Sequence, residues 1–346
     1  MDFLLLVIGL VLLVVSGDYL VESASAIARS CKMSNLIIGL TVVAFGTSAP
    51  ELFVSVTSSL SGSSAIAVGN VVGSNCINVS VIVGLTALIC PFAVKKDCIT
   101  IDTMFMLLIT VALLGLGLLG EGISRFEGFL LFAMLVGYTF WRVRKAKQDP
   151  QAAAEAEAGV EVPEKERPVI VNIIILLASI GFLAFGADLM VDAAKNIARD
   201  FGVTERVISV TVVALGTSLP ELTTSVMGAI KGKEDLAVGG IVGSNIFNIG
   251  SVLALSACAS PIGFSDSGIT TPQFTSDVLW VLGFEVMLLI GLINVTNNLD
   301  GFKNSRKISS LFSAEHGLVG RIWGASALAL YAVYVFFLLS KPLANG

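Results

Sequence analysis

The sequence is poor in the residues from which many metal and redox sites are built. It has a single histidine, His316, and its five cysteines include no CxxC pair. A histidine/cysteine metal centre is therefore excluded, and most of the cysteines are interpreted as small hydrophobic residues of apolar segments. The cysteines are Cys31, Cys76, Cys90, Cys98 and Cys258. Charge is scarce too, because Asp, Glu, Lys and Arg together make up only 14% of 346 residues.

Hydrophobic residues are abundant instead, at 55% of the chain with a mean hydropathy of +0.89. This composition is typical of an all-α polytopic membrane protein. The hydropathy pattern predicts ten transmembrane helices. They cover residues 3–28, 36–60, 65–89, 99–119, 125–142, 169–198, 206–230, 236–260, 276–295 and 322–340. A charged, alanine-rich linker over 144–168 separates two halves of five helices each, 1–143 and 169–346.

The two halves contain the same segment. Residues 41–79 and 211–249 align without a gap at an offset of 170, with 21 of 39 positions identical. They lie within the longer repeats 36–89 and 206–260. Because five is an odd number of spans, homologous halves must insert with opposite topology. Inverted repeats of this kind are typical of transporters with a binding site near the membrane midplane.

Basic residues predict how the chain is oriented in the membrane. With the N-terminus outside, most of them fall in cytoplasmic loops and in the linker, as the positive-inside rule requires. Residues 1–20 lack the basic start of a signal peptide and are interpreted as an uncleaved first span. We therefore expect a multi-pass protein of the cell inner (plasma) membrane, with both termini outside and the 144–168 linker in the cytoplasm.

Each repeat contains a proline-broken motif that ends in a glutamate. The motifs read GTSAPE over 46–51 and GTSLPE over 216–221. Pro50 and Pro220 remove a helical hydrogen bond and free a backbone carbonyl, which a membrane tolerates only inside protein or beside a polar cavity. Glu51 is the only charged residue between Met33 and Val94. A carboxylate at membrane depth is energetically costly unless it is paired, so Glu51 is a candidate functional residue.

Other oxygen-bearing side chains recur at helical spacing around these glutamates. Thr47 lies four residues before Glu51, as Thr217 does before Glu221, so each pair shares a helix face. In the following spans Ser74 and Asn78, and Ser244 and Asn248, are again four apart. Carboxylate, hydroxyl, amide and carbonyl oxygens suit hard cations such as Ca²⁺ and Na⁺. Oxygen ligands alone do not separate calcium from manganese, or sodium from protons.

The paired motifs resemble the two α-repeats of the calcium/cation antiporters, a superfamily that includes the sodium/calcium exchangers. The residues that carry the resemblance are GTSAPELFVS with GNVVGSNCIN, and GTSLPELTTS with GGIVGSNIFN. The resemblance implies a secondary antiporter that exports Ca²⁺ in exchange for Na⁺ by alternating access. It implies that the first and sixth spans slide past the remaining core. It also implies a cation site formed by Glu51, Glu221, Thr47, Thr217, Ser48, Ser218, Ser74, Ser244, Asn78 and the carbonyls of Ala44 and Ala214.

The chain departs from some relatives at Asn248, where they have an aspartate that is associated with potassium coupling. With asparagine in both repeats the site keeps two acidic side chains, and Asn248 is interpreted as a neutral ligand. The GTSxPE motif favours sodium, while coupling to protons and transport of another divalent ion such as Mn²⁺ are kept as alternatives. The linker is too short for a regulatory β-sandwich of roughly 100 residues.

Functions outside antiport are weighed against the same residues. An intramembrane enzyme with two acid/base carboxylates would not need duplicated Thr, Ser and Asn, and a channel is disfavoured by a closed carboxylate site. We therefore expect no enzymatic activity and no cofactor, with Ca²⁺ and Na⁺ as substrates and the lipid bilayer as surroundings. No nucleic acid and no obligate protein partner is expected.

Four further acidic residues in the first and sixth spans also match at an offset of 170: Asp18 with Asp188, and Glu22 with Asp192. We expect structural roles for them. Glu285, in the ninth span, has no acidic counterpart in the first half, since position 115 is glycine. A direct role in cation binding is not expected for Glu285.

Overall fold

The computed structural model describes residues 1–90, 92–94, 98–120, 122–148, 167–201, 214–264, 269–297 and 317–340. Nearly all of the described chain is helical. The helices are α1 (Asp2–Ser30), α2 (Asn35–Thr47), α3 (Ala49–Leu60), α4 (Ser64–Ile89), α5 (Thr100–Gly120), α6 (Arg125–Lys147), α7 (Val169–Asp200), α8 (Ala214–Gly216), α9 (Leu219–Ile230), α10 (Glu234–Ala259), α11 (Thr271–Asn297) and α12 (Arg321–Ser340).

Eight of the described helices are long and apolar enough to cross a bilayer by themselves. Helices α2 and α3 form one further span that bends by 45°, which gives up to nine. The predicted span 206–230 is described only from residue 214 onward, so its first part lies outside the described residues. An all-helical polytopic fold is therefore confirmed, while the count of ten remains a prediction.

Two predicted boundaries are wrong by about one helical turn. Helix α6 continues to Lys147 rather than ending at 142, so it enters the predicted linker. The basic residues of its last turn suit the negative end of the helix dipole, which explains why charge does not end the helix. Helix α11 begins at Thr271 rather than 276. Hydropathy marks the apolar part of a helix, not the polar turns that extend it.

Helices α4 and α10 form the centre of the molecule. In their most apolar windows 78% and 83% of the residues are buried, against 33% or less in the other continuous spans. Both helices contain a π-helical segment, Asn78–Ile82 in α4 and Asn248–Leu253 in α10. Such segments are uncommon and occur frequently at functional sites, because they turn side chains out of the regular helical phase.

Helices α1 and α7 pack against each other along their length. A Cβ atom at Gly9 of α1 would lie 2.8 Å from the carbonyl oxygen of Gly186 of α7, so the backbones touch where they cross. Helix α1 also contacts α9, since a Cβ at Gly17 would meet Thr223 at 2.6 Å. Helices α1 and α7, which are expected to slide during exchange, therefore form one paired unit that packs against the core.

Short strands join the loops of the two halves. Strand β1 (Phe92–Val94) pairs antiparallel with β4 (Gly317–Val319), and β2 (Gly122–Ile123) pairs with β3 (Ile262–Gly263). The first pair joins the loop before α5 to the loop before α12. The second pair joins the loop before α6 to the loop before α11. Each half of the chain contributes one loop to each pair. Strand β3 lies 170 residues after β1, so these two strands occupy equivalent positions in the two repeats.

A buried ion pair joins the ends of α5 and α6. The guanidinium of Arg142 donates to both carboxylate oxygens of Asp102, at 2.6 and 2.9 Å, and the Tyr138 hydroxyl donates to the same carboxylate at 2.6 Å. Charged groups in an apolar interior need such full pairing, because their loss of hydration is otherwise uncompensated. The pair therefore fixes the register of these two spans.

Candidate cation site

Both glutamates of the repeated motif are buried just after a break in the helix. Between α2 and α3 the break falls at Ser48, and Pro50 occupies the first turn of α3, where no intrahelical donor is needed. Ser218 and Pro220 have the same places before and within α9. Glu51 is 1% and Glu221 is 3% exposed. The predicted break is confirmed in both repeats, and each glutamate lies in the first helical turn after its own break, inside the protein.

Hydroxyl groups from both repeats surround Glu221. The Ser48 hydroxyl donates to its Oε1 atom at 3.5 Å, and the Ser244 hydroxyl donates to the same atom at 3.4 Å. Thr47 and Ser244 are also joined, through their hydroxyl oxygens at 3.4 Å. First-repeat residues thus contact the second-repeat carboxylate, which makes the two repeats parts of a single site.

Four asparagines join α4 to α10 with two-fold symmetry. Asn78 donates to Oδ1 of Asn245 at 3.0 Å, and Asn248 donates to Oδ1 of Asn75 at 3.0 Å. Asn75 and Asn245 donate in turn to each other's backbone carbonyls, at 3.2 and 3.3 Å. All four are buried. The pairing uses the NH₂ groups of Asn78 and Asn248 and leaves their carbonyl oxygens free.

A set of buried oxygen atoms in this region has no hydrogen-bond partner among the described residues. Such groups are rare, since an unsatisfied buried oxygen costs about 1–3 kcal/mol. Seven of the eleven atoms of this kind in the described chain belong to residues of the predicted cation site. They are both carboxylate oxygens of Glu51, Oε2 of Glu221, Oγ of Ser74, Oγ of Ser218, Oδ1 of Asn78 and Oδ1 of Asn248.

The remaining predicted ligands include Ala44, Ala214 and Thr217, which lie close to the two helix breaks. The backbone carbonyl of Ala44 accepts from the Ser48 amide at 3.0 Å and from the Thr47 hydroxyl at 3.4 Å, so it remains part of the helix. Ala214 is the first residue of α8. Thr217 lies at the break between α8 and α9 and is half-buried.

Asn75 and Asn245 were not predicted to belong to the site. The sequence carried a signal for them, because both stand in the repeated GSN motif at an offset of 170. They lie one residue after the predicted serines and so point to a different side of the helix. Only the contact between α4 and α10 shows that their amides orient Asn78 and Asn248.

The motif glycines serve close packing as well as the break. A Cβ at Gly46 would lie 2.3 Å from Ile180, and one at Gly216 would lie 2.1 Å from Val191, both on α7. Close approach also occurs at Gly239 and Gly243 of α10, where a Cβ would meet the backbone of α2 at 2.6 and 2.8 Å, whereas the equivalent glycines of the first repeat, Gly69 and Gly73, have no described atom within 4 Å of an added Cβ. Helix α7 therefore passes directly over both motifs.

Three of the other acidic residues form ion pairs, and a fourth, Glu285, is hydrogen-bonded inside the protein. Lys231, which follows α9, pairs with Asp18 at 2.7 Å and Glu22 at 3.4 Å on α1. Asp192 pairs with Lys195 at 3.1 Å on the same helix. Glu285 is fully buried, and its Oε1 atom lies 3.0 Å from the Thr110 hydroxyl of α5.

The structure thus places two buried carboxylates among neutral oxygen-bearing side chains at the centre of a helical membrane protein. Residues 1–144 and 171–340 match the model of the sodium/calcium exchanger protein family, and the chain belongs to that family. The predicted resemblance is confirmed.

Known proteins agree with this assignment. The chain is 36% identical to the inner membrane protein YrbG of Escherichia coli (84% of this chain, 86% of YrbG). It is 33% identical to the sodium/calcium exchanger MaX1 of Methanosarcina acetivorans (82% and 91%). The solved structure of the sodium-calcium exchanger NCX_Mj, soaked with Na⁺ and Ca²⁺, superposes with a TM-score of 0.75 at 27% identity, over 99% of both chains. The chain is thus a membrane protein of an antiporter family.

Proposed function

We propose that this chain exports Ca²⁺ in exchange for Na⁺ by alternating access at one central site. The observation that carries the proposal is the set of seven buried, unpartnered oxygen atoms drawn from both repeats. Oxygens without donors are expensive in an apolar interior, and a hard cation is the ligand that compensates them. The ligands are the twelve predicted residues, with Glu51 and Glu221 supplying the charge.

The charge of the site accounts for competition between the two ions. One Ca²⁺ neutralises two carboxylates, and so do two Na⁺ ions. Since both kinds of ion would use the same oxygens, binding of sodium weakens binding of calcium and promotes its release. The names of MaX1 and NCX_Mj, both sodium/calcium exchangers, support this choice of ions.

We place the chain in the cell inner membrane with both termini outside and the 144–168 linker in the cytoplasm. The basic residues of the loops support this orientation. The strand pairs agree with the predicted alternation of sides, because β1 and β4 belong to loops assigned to one side of the membrane and β2 and β3 to loops assigned to the other. One relative, YrbG of Escherichia coli, is named an inner membrane protein.

Exchange driven by protons, or exchange of Mn²⁺, is the alternative. It uses the same glutamates as proton carriers, and no observation on the described residues favours it over sodium coupling. The vesicle uptake experiment described next therefore tests both kinds of coupling.

The test is uptake of calcium-45 into sodium-loaded proteoliposomes that are diluted into sodium-free medium. We expect uptake that depends on internal sodium and is lost in Glu51→Gln and in Glu221→Gln, since each change removes a charge that balances Ca²⁺. Glu127→Gln, at an exposed helix cap, is the matched control and should transport normally. Uptake driven by a pH gradient without sodium would assign the protein to the proton-coupled branch.

A further inference from the structure

The side of helix α3 that is buried in the protein is polar from one end to the other. The buried residues of α3 are Glu51, Ser55 and Ser59. Because they are four residues apart, they form a single row on one side of the helix. The apolar side chains of Phe53 and Leu60 are exposed instead. A membrane helix that buries only polar groups needs a reason, because such groups are costly at this depth.

A second polar row, on α4, lies against the first. Asn70, Ser74 and Asn78 also follow one another at intervals of four residues, and a short loop over 61–63 makes α4 antiparallel to α3. The side-chain amide of Asn70 donates to the Ser55 hydroxyl oxygen at 2.9 Å and to the backbone carbonyl of Glu51 at 3.4 Å. The two polar rows are therefore in direct contact.

These rows extend the cation site toward one end of α3. Glu51 belongs to the predicted ligand set, whereas Ser55 and Ser59 lie one and two turns further along the helix. Ser59 is thus about 12 Å from Glu51 along the helix axis. It lies just before the 61–63 loop, which is external in the proposed orientation. The row connects the centre of the protein with the edge of the membrane.

The Ser59 hydroxyl is placed differently from other hydroxyls at this end of α3. Serine and threonine inside a helix commonly donate to the carbonyl one turn earlier. Thr57 does so to Phe53 at 2.7 Å, and Ser61 does so to Thr57 at 2.8 Å. Ser59 is 0% exposed, and its Oγ atom has no hydrogen-bond partner among the described residues. It is therefore an unpartnered oxygen of the same kind as those of the central site.

The second repeat lacks this extension. The positions equivalent to Ser59 and Asn70 are Ala229 and Gly240, although Ser225 still corresponds to Ser55. The same helix pair, α9 with α10, therefore packs without the two polar groups. Since the shared fold does not require them, Ser59 and Asn70 belong to a feature of the first half alone.

We propose that Ser55 and Ser59 form an access path through which a partly dehydrated Na⁺ or Ca²⁺ passes between Glu51 and the membrane face at the 61–63 loop. The inference rests on the proposed function of the central site. Hydroxyl oxygens are ligands for hard cations, so they replace part of the lost hydration. Because they are neutral, they bind the ion weakly enough to release it, as conduction requires.

Ser59→Ala tests the path by transport. The value of kcat/KM for calcium in sodium-driven calcium-45 uptake should fall about fivefold, which is the effect of losing one oxygen contact. The unfolding midpoint in detergent should not fall, because the change removes an unpartnered buried oxygen rather than a hydrogen bond. Ser256→Ala is the matched control. Ser256 is equally buried, but its hydroxyl donates to the Val252 carbonyl at 2.7 Å, so uptake should be unchanged.

Cysteine labelling tests the path without transport. In a chain whose native cysteines are replaced, Ser59→Cys should react with a small cationic methanethiosulfonate reagent when Na⁺ and Ca²⁺ are absent. The reaction should occur from the side that labels Ser63→Cys, an exposed position of the 61–63 loop, and Ca²⁺ should slow it. Ser256→Cys should remain unreactive, since it is buried away from the path.

The proposal is overturned if Ser59→Ala transports like the wild type, or if it loses transport together with stability, because the hydroxyl would then serve packing. It is also overturned if Ser59→Cys reacts no faster than Ser256→Cys, or only from the side opposite to Ser63→Cys. Failure of the proposed function looks different: wild-type vesicles then show no sodium-driven calcium uptake, while Ser59→Cys still reacts and Ca²⁺ does not slow it.

Discussion

At the scale of single residues, the neutral amides determine the geometry of the site as much as the carboxylates determine its charge. Glu51 has no hydrogen-bond donor on either carboxylate oxygen among the described residues. The free carbonyl oxygens of Asn78 and Asn248 are directed by partners that are not ligands themselves. We therefore expect cation binding at the proposed site to depend also on Asn75 and Asn245, which lie outside the predicted ligand set.

Asn75→Ala tests this dependence. The change removes the acceptor of the Asn248 amide and the donor to the Asn245 carbonyl. Buried hydrogen bonds contribute about 1 kcal/mol each, so the calcium KM should rise roughly tenfold in the vesicle uptake assay. Asn196→Ala, at an exposed asparagine of α7, is the matched control and should behave as the wild type. An unchanged KM in Asn75→Ala would show that the amide pairs do not orient the ligands.

At the scale of helices, glycine decides how closely the spans approach one another. Helices α2 and α10 touch backbone to backbone at Gly39, Gly239 and Gly243. Without the hydrophobic effect to drive helices together inside a bilayer, such contacts rely on close packing. This contact brings Thr47 within reach of Ser244, so it also builds the site.

Gly243→Ala should therefore destabilise the protein. Its added Cβ would lie 2.7 Å from the Cβ of Ala44 and 2.8 Å from the Leu40 carbonyl, and overpacking of this kind costs about 1–3 kcal/mol. Gly137→Ala is the matched control, since no described atom lies within 4 Å of a Cβ there. Thermal unfolding in detergent should show a lower midpoint for Gly243→Ala alone. Equal unfolding midpoints for the two variants would mean that helices α2 and α10 can move apart without a loss of stability.

The contact between α1 and α9 includes the ion pair of Lys231 with Asp18 and Glu22, which connects the paired helices α1 and α7 to the core. The repeat-related position of Lys231 is Ser61, so the opposite half lacks a lysine there. Partly exposed ion pairs contribute about 0–1 kcal/mol.

Lys231→Gln should shift the balance between the two access states by no more than about fivefold, which corresponds to that free energy. The shift should favour opening at the end of α1 near Lys231, and cysteine labelling from the cytoplasmic side measures it. Lys195→Gln, which removes an exposed pair within α7, is the control. A labelling rate identical to the wild type would exclude a role for the ion pair in access.

At the scale of the whole molecule, the proposed two-carboxylate site predicts that the fluxes of the two ions are coupled. An empty site has two uncompensated charges in an apolar interior, and moving it across the membrane would be expensive. The protein is therefore expected to exchange ions rather than to leak them.

Calcium-loaded proteoliposomes test this coupling. Diluted into medium without Na⁺ or Ca²⁺, they should release calcium no faster than protein-free vesicles, and addition of external Na⁺ should start the release. Glu51→Gln vesicles should stay closed under both conditions. Rapid release without a counter-ion would contradict obligatory exchange and favour a channel.

Much of this protein follows from the sequence alone. The offset of 170 and the GTSxPE motifs predicted the family, the two helix breaks and the burial of both glutamates, because a membrane tolerates charge and broken backbone only inside protein or beside a polar cavity. Hydropathy likewise predicted the helices, although it missed the polar turns at the end of α6 and the start of α11.

Tertiary structure alone decided which residues meet across the repeats. The contact of Ser48 with Glu221 and the amide pairs of Asn75 and Asn245 join residues 170 or more positions apart. Helical periodicity shows which side chains share a face of one helix, but not which face of another helix they meet. That choice depends on close packing at glycines such as Gly243, and only the assembled helices determine it.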